Sequence, residues 1–101
     1  MNIANRLVVS ADGTRAVFDA RVGSGVTRIF GIDLSTKVVT KLNDYMGEPN
    51  TNDSFPCWFD ANTVAYSSDS GGNDNVYRVG FDGTQRRLLL PKAVEPWYGP
   101  Y

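Results

Sequence analysis

The chain has 101 residues, with 10 Lys+Arg against 11 Asp+Glu, a formal net charge of -1 and 42% hydrophobic residues. That length makes one small domain; the charge balance excludes the basic excess of a dedicated nucleic-acid or membrane-surface binder, and the apolar content excludes intrinsic disorder. Without histidine, and with Cys57 as its one cysteine, the chain by itself holds no Ser-His or Cys-His catalytic pair, no His-ligated metal and no internal disulfide.

The N-terminal stretch MNIANRLVVSADG lacks the basic start and long apolar core of a secretory leader. No apolar run, Leu88-Leu89-Leu90 included, is long enough to span a membrane. The expected location is the cytoplasm, or the periplasm if a leader has been removed. A lone cysteine fits a reducing compartment.

No stretch shows a 3.6-residue apolar period; short alternating runs are split by turn residues instead, as in all-β proteins. Ser10-Ala11-Asp12-Gly13 reads as a turn, and residues 16–20 follow as a strand. Gly23-Ser24-Gly25 is the next turn. Residues 27–34 alternate, with Phe30, Ile32 and Leu34 on one face and Ile29, Gly31 and Asp33 on the other. After a turn at Ser35-Thr36, residues 37–42 are β-branched and strand-like. The polar stretch 43–53 reads as a connecting loop. Residues 54–59 form a short strand whose Pro56 marks a strand start or an edge. Strands at 63–68, 75–81 and 85–90 follow, divided by turns at 60–62, 69–73 and 82–83.

These strands fall into an internal repeat. Phe18 matches Tyr66 at a spacing of 48, and Phe30, Ile32 and Leu34 match Tyr77, Val79 and Phe81 at a spacing of 47. Each unit holds four short strands, and a four-stranded unit with a period in the forties marks a propeller blade.

On these residues the sequence resembles the TolB-type (WD40-like) β-propeller repeats. The family's Ser-Pro-Asp-Gly turn is matched by Ser10-Ala11-Asp12-Gly13, with Ala11 in place of proline. Its small-apolar-aromatic strand and Ser-Asp are matched by Val64-Ala65-Tyr66-Ser67-Ser68-Asp69, and its Ile-Tyr by Val76-Tyr77. Phe81-Asp82-Gly83 and Arg86-Arg87-Leu88 complete the second unit, while Asp60-Ala61-Asn62 departs from Pro-Asp-Gly. The resemblance spans roughly residues 7–90 and implies blades whose first strand lies nearest a central axis, in a scaffold for protein contacts. In some relatives it implies the non-catalytic gate of a peptidase or the body of a lyase.

The expected fold is therefore all-β: two four-stranded antiparallel blades, with a small two-sheet β-sandwich as the alternative. Blade 1 is expected over residues 1–43, a linker over 44–53, blade 2 over 54–90 and an aromatic tail over 91–101. A closed propeller needs about four to eight blades. Two blades predict homo-oligomerisation around a symmetry axis, unless they belong to a longer propeller.

Candidate chemistry is sparse. The segment 69–75 is rich in oxygen ligands but lacks the spacing of an EF-hand loop, and it reads as a hairpin turn. Asp12, Asp60 and Asp82 sit at turns, where aspartate bonds the local backbone. Arg86, Arg87, Lys37 and Lys41 fall on outer strands, where charge opposes edge-to-edge aggregation. Cys57, between Pro56 and Trp58, reads as a small buried apolar residue. Trp58, Trp97, Tyr98 and Tyr101 are the binding candidates, as an aromatic platform for a sugar or peptide. The function expected is a non-enzymatic, self-associating scaffold or binding module, needing no cofactor or metal. Its protein or small-molecule ligand would sit at the channel or the loop face. The alternative is an oligomeric propeller enzyme with Asp19, Asp44 and Asp53 gathered at the axis.

Overall fold

The computed structural model describes residues 2–22, 25–42, 51–69 and 75–91. They form eight strands: β1 (Asn2–Val9), β2 (Arg15–Arg21), β3 (Thr27–Asp33), β4 (Val39–Lys41), β5 (Asp53–Asp60), β6 (Thr63–Ser68), β7 (Asn75–Gly80) and β8 (Arg87–Pro91). No helix occurs among the described residues. Two four-stranded sheets result, in the orders β1-β2-β3-β4 and β5-β6-β7-β8, with every neighbouring pair antiparallel. Each sheet is a meander of consecutive strands, the arrangement that short turns between short strands permit.

Register confirms the repeat. Phe18 lies opposite Phe30 and Tyr66 opposite Tyr77, and both pairs stack, at centroid separations of 5.6 and 6.1 Å. Ala16 pairs with Ile32 as Val64 pairs with Val79. Counting outward, Val9 opposite Ala16 corresponds to Trp58 opposite Val64.

Beyond shifts of one or two residues at strand ends, the strands differ from the sequence reading in three places. β1 occupies the N-terminal stretch ahead of the first strand that the sequence predicts. β4 shrinks to three residues because the Asp33-led turn runs on to Lys37, whose φ is 65° and whose N–H donates to the Asp33 carbonyl at 2.7 Å. Pro56 lies inside β5 rather than at its start, at a register shift between Ser54 and Cys57. β5 is an edge strand, so the missing N–H interrupts no second ladder.

The core lies between the sheets. Val17, Ile29 and Leu42 of the first pack with Val64, Tyr66 and Val79 of the second, all at 1% exposure or less. The other face of the first sheet buries a separate cluster, Phe18, Ala20 and Phe30. β2 and β3 are thus buried on both faces, and their alternation separates two apolar environments rather than core from solvent. At the interface Phe81 stacks on Trp58 at 5.5 Å and lies under the Arg15 guanidinium at 4.6 Å. Arg15 also donates to the Asn62 Oδ1 at 3.0 Å and the Ala61 carbonyl at 3.3 Å. Gly31 leaves the space for that ring, since a Cβ there would stand 2.6 Å from the Phe81 Cε1.

Candidate functional site

β1 and β5, the first strand of each sheet, are both irregular: their registers break between Ile3 and Leu7 and between Ser54 and Cys57. Asn5 and Phe55 fall in these breaks. Between the two strands lies a cleft of about 370 Å³ lined by Asn5, Phe55, Pro56 and Cys57.

One buried side chain ties the two breaks together. Asp19, on β2, is fully buried. Its Oδ1 accepts the Asn5 backbone N–H at 3.0 Å, and its Oδ2 accepts the Asn5 side-chain amide and, from the other sheet, the Phe55 N–H at 2.9 Å. A bulge leaves backbone groups outside the ladder, and here a single carboxyl group satisfies one from each strand. Phe55 is held at φ 55°, a conformation uncommon for a residue with a side chain, and remains 66% exposed beside the cleft. An apolar ring thus stands open to water on a constrained backbone.

The binding candidates are divided by this geometry. Trp58 is half-buried; its indole Nε1 donates to the Val8 carbonyl at 3.1 Å and its ring stacks on Phe81. It joins the two sheets beside the cleft. Trp97, Tyr98 and Tyr101 lie outside the described residues. Asp19 and Asp53 are both fully buried, and Asp44 lies outside the described residues. The oxygen-rich turn is described only at its ends: the Asp69 Oδ1 accepts the Asn52 N–H at 2.7 Å. Among the described residues no group of three or more His, Cys, Asp or Glu is placed to hold a metal. Sequence reasoning passed over Phe55 and Asn5, whose one outward sign was a proline following an aromatic in an edge strand.

Cys57 corrects an expectation. It is exposed rather than buried, because the bulge at Pro56 rotates the strand at the cleft. Partial desolvation nevertheless pushes its thiol pKa up from the ordinary 9.0. A reagent such as 5,5′-dithiobis(2-nitrobenzoate) should label Cys57 in the folded protein, more slowly at pH 7 than a free thiol, since the thiolate is the nucleophile. Labelling only after denaturation would contradict the exposure.

The turn aspartates act locally. The Asp12 Oδ1 accepts the Thr14 N–H at 3.0 Å and the hydroxyls of Thr14 and Ser10 at 2.7 and 2.8 Å. Asp82 repeats this on Thr84, Asp60 accepts the Asn62 N–H, and Asp33 accepts from Ser35 and Thr36. These hydrogen bonds hold the Asp12 carboxyl down to about 2, with backbone and side-chain bonds from Thr14 as the main cause. Asp33, Asp60 and Asp82 are lowered for the same kind of reason. A folded-state pKa below the unfolded value adds stability that is complete above the unfolded value of 3.8 and is lost as pH falls through the folded one. Melting temperature should therefore hold level from about pH 7 to 5 and fall between about pH 4 and 2, as a thermal-unfolding series would show. Asp12→Asn should flatten part of that fall; an unchanged profile would remove Asp12 from the account.

No protein-family model matches the sequence, and no curated protein matches it. Solved structures do. A protein assigned as TolB from Agrobacterium tumefaciens superimposes with a TM-score of 0.71 at 22% identity, over 87% of this chain and 31% of the other. TolB from Acinetobacter baumannii superimposes with a TM-score of 0.64 at 26% identity, over 87% of this chain and 21% of the other. The chain thus spans about a third and a fifth of those two structures. The two sheets are TolB-like propeller blades, blade 1 from β1–β4 and blade 2 from β5–β8.

Proposed function

We propose that the chain is a non-enzymatic binding module whose two blades hold a partner's peptide segment against the cleft between β1 and β5. The observation that carries this reading is Phe55: 66% exposed, at φ 55°, its N–H fixed by the buried Asp19 of the neighbouring blade. A backbone set in place before binding loses little conformational entropy when the ring it carries makes contact. The cleft walls supply apolar surface from Phe55 and Pro56 and one amide from Asn5, a combination that suits an extended peptide bearing an aromatic or aliphatic side chain. Among the described residues these walls present no carboxylate, and Asp12, Asp33, Asp60 and Asp82 are each engaged by their own turns, which speaks against acid–base chemistry by those groups. The resemblance to TolB structures supports a contact scaffold as fold-level analogy.

The test is a displayed random-peptide library panned against the folded chain. Selected peptides should lose about thirtyfold in affinity for Phe55→Ala, the effect of truncating a hot-spot aromatic. Failure to enrich any peptide, or equal binding to Phe55→Ala, overturns the assignment of the cleft.

A further inference from the structure

β4 is the edge strand of blade 1 on the side away from β1, and its backbone polar groups divide between the sheet and the open edge. The Asp33 N–H donates to the Val38 carbonyl and the Leu42 N–H to the Ile29 carbonyl, both at 3.0 Å, with Thr40 opposite Gly31 between them. That register turns Val38, Thr40 and Leu42 into the ladder. The alternation of an antiparallel strand then turns the N–H and C=O groups of Val39 and Lys41 away from β3. The Lys41 carbonyl lies by the Gly83 turn of blade 2, 3.6 Å from where a Cβ on that glycine would stand. The Val39 N–H, the Val39 carbonyl and the Lys41 N–H are left pointing outward, in a stretch where Val38 and Val39 are 59% and 44% exposed. Lys37 and Lys41 stand exposed at the two ends of this edge. The carboxylate of the preceding turn, Asp33, is taken up by the N–H groups of Ser35 and Thr36.

We propose that the edge of β4 takes up an acidic, extended segment of a partner protein as an added strand, with Lys37 and Lys41 facing its carboxylates. An unpaired strand edge is a template for another strand, and here charge decides which strand. Two copies of β4 laid edge to edge and antiparallel would set the lysines of one against the lysines of the other, and like charges across a strand pair are destabilising. An acidic strand meets the same two lysines favourably. The charges that oppose self-pairing therefore select the partner. The ladder is short, so the contact is weak and the lysines direct it. The edge is also independent of the number of blades in the propeller. The main contacts of blade 2 with blade 1 run from β5 to β1, β2 and β3, and blades packed in this manner on either side leave the edge of β4 open. The surface is separate from the cleft at Phe55, and the inference does not rest on a peptide bound there.

The probe is the capped peptide Glu-Val-Thr-Val-Glu, titrated to millimolar concentration into ¹⁵N-labelled protein, with Lys-Val-Thr-Val-Lys as its charge-reversed control. The Glu peptide should move the Val39 and Lys41 amide signals and slow their hydrogen exchange. It should bind about tenfold more tightly than the Lys peptide, the effect expected of two exposed ion pairs. Lys37→Glu/Lys41→Glu should reverse that preference. Val39→Pro removes an outward donor and spares the β3–β4 ladder, as proline on an edge strand does, and should weaken binding. The Glu peptide N-methylated at its central residues keeps its charge but cannot donate to a ladder, and it should not bind. The absence of any shift at Val39 and Lys41, or equal binding of the two peptides, overturns the proposal. Undiminished binding of the N-methylated peptide also overturns it, leaving a simple anion site. Phe55→Ala should bind the Glu peptide as the unaltered protein does, which separates failure here from failure of the cleft.

Discussion

Replacing Asp19 with alanine should destabilise the protein by about 3 kcal/mol, because it orphans two backbone donors at once, each worth about 1–3 kcal/mol when left without an acceptor. The donors are the N–H groups of Asn5 and Phe55, bonded at 3.0 and 2.9 Å to a fully buried side chain. The bulges hold these groups outside the strand ladders, so nothing in the sheets replaces the lost acceptor. For a chain of this size the loss corresponds to roughly 12–24 °C in melting temperature. Asp19→Asn should cost less, about 1–2 kcal/mol, because one amide oxygen can still accept while the NH₂ faces a donor. The distinctive readout is local. In Asp19→Asn the Phe55 amide should lose its hydrogen-exchange protection and move upfield in the ¹H–¹⁵N spectrum, while Val64 and Val79 keep native shifts. A destabilisation below about 1 kcal/mol for the alanine variant, or an unmoved Phe55 amide, would show that Asp19 does not hold β1 and β5 together.

A second large effect is expected at Gly31. A Cβ there would lie 2.6 Å from the Phe81 Cε1 and 3.0 Å from its Cζ. The ring is stacked on Trp58 at 5.5 Å and covered by Arg15 at 4.6 Å, so any retreat breaks contacts of the seam. Gly31→Val should therefore cost about 2–3 kcal/mol through overpacking, despite the β-propensity of valine in the middle of a strand. Coupling identifies the cause: in a Phe81→Leu background the same substitution should cost less than about 1 kcal/mol. Equal costs in the two backgrounds would place the damage elsewhere than in the blade interface. Both variants are measured by denaturant unfolding at one low protein concentration, so that the comparison is unaffected by mass action.

These two residues connect architecture with the proposed function. Gly31 lets Phe81 and Trp58 close the seam between blades, and the closed seam brings β5 near enough for Asp19 to reach the Phe55 N–H. Phe55 then stands open at the cleft with its backbone set by the neighbouring blade rather than by its own sheet. Displacing blade 2 by even an ångström would lengthen that hydrogen bond beyond useful range. The seam and the candidate site are therefore expected to fail together, with Gly31→Val weakening peptide binding as well as stability.

The all-β class, the two-unit repeat and the blade pattern were determined by sequence alone. Phe18 with Tyr66, Phe30 with Tyr77 and Ile32 with Val79 recur at a fixed spacing, and period-two alternation between turn residues permits little but short antiparallel strands. The roles of Asp12, Asp60 and Asp82 were legible for the same reason, since their partners lie two residues away in the chain. The cleft was not legible. Asp19 looks like any polar residue in a strand until β5, 36 positions further on, places an N–H against it. Cys57 reads as a small core residue until the bulge at Pro56 turns it outward. Trp58 reads as a platform, and the bond of its indole to the Val8 carbonyl, 50 positions away, leaves no local trace in the sequence. Local periodicity records which face a side chain takes. Which of those faces meets another sheet, and which backbone groups a bulge sets free for a distant carboxyl, depends on contacts between residues far apart in sequence, and those only the tertiary structure decides.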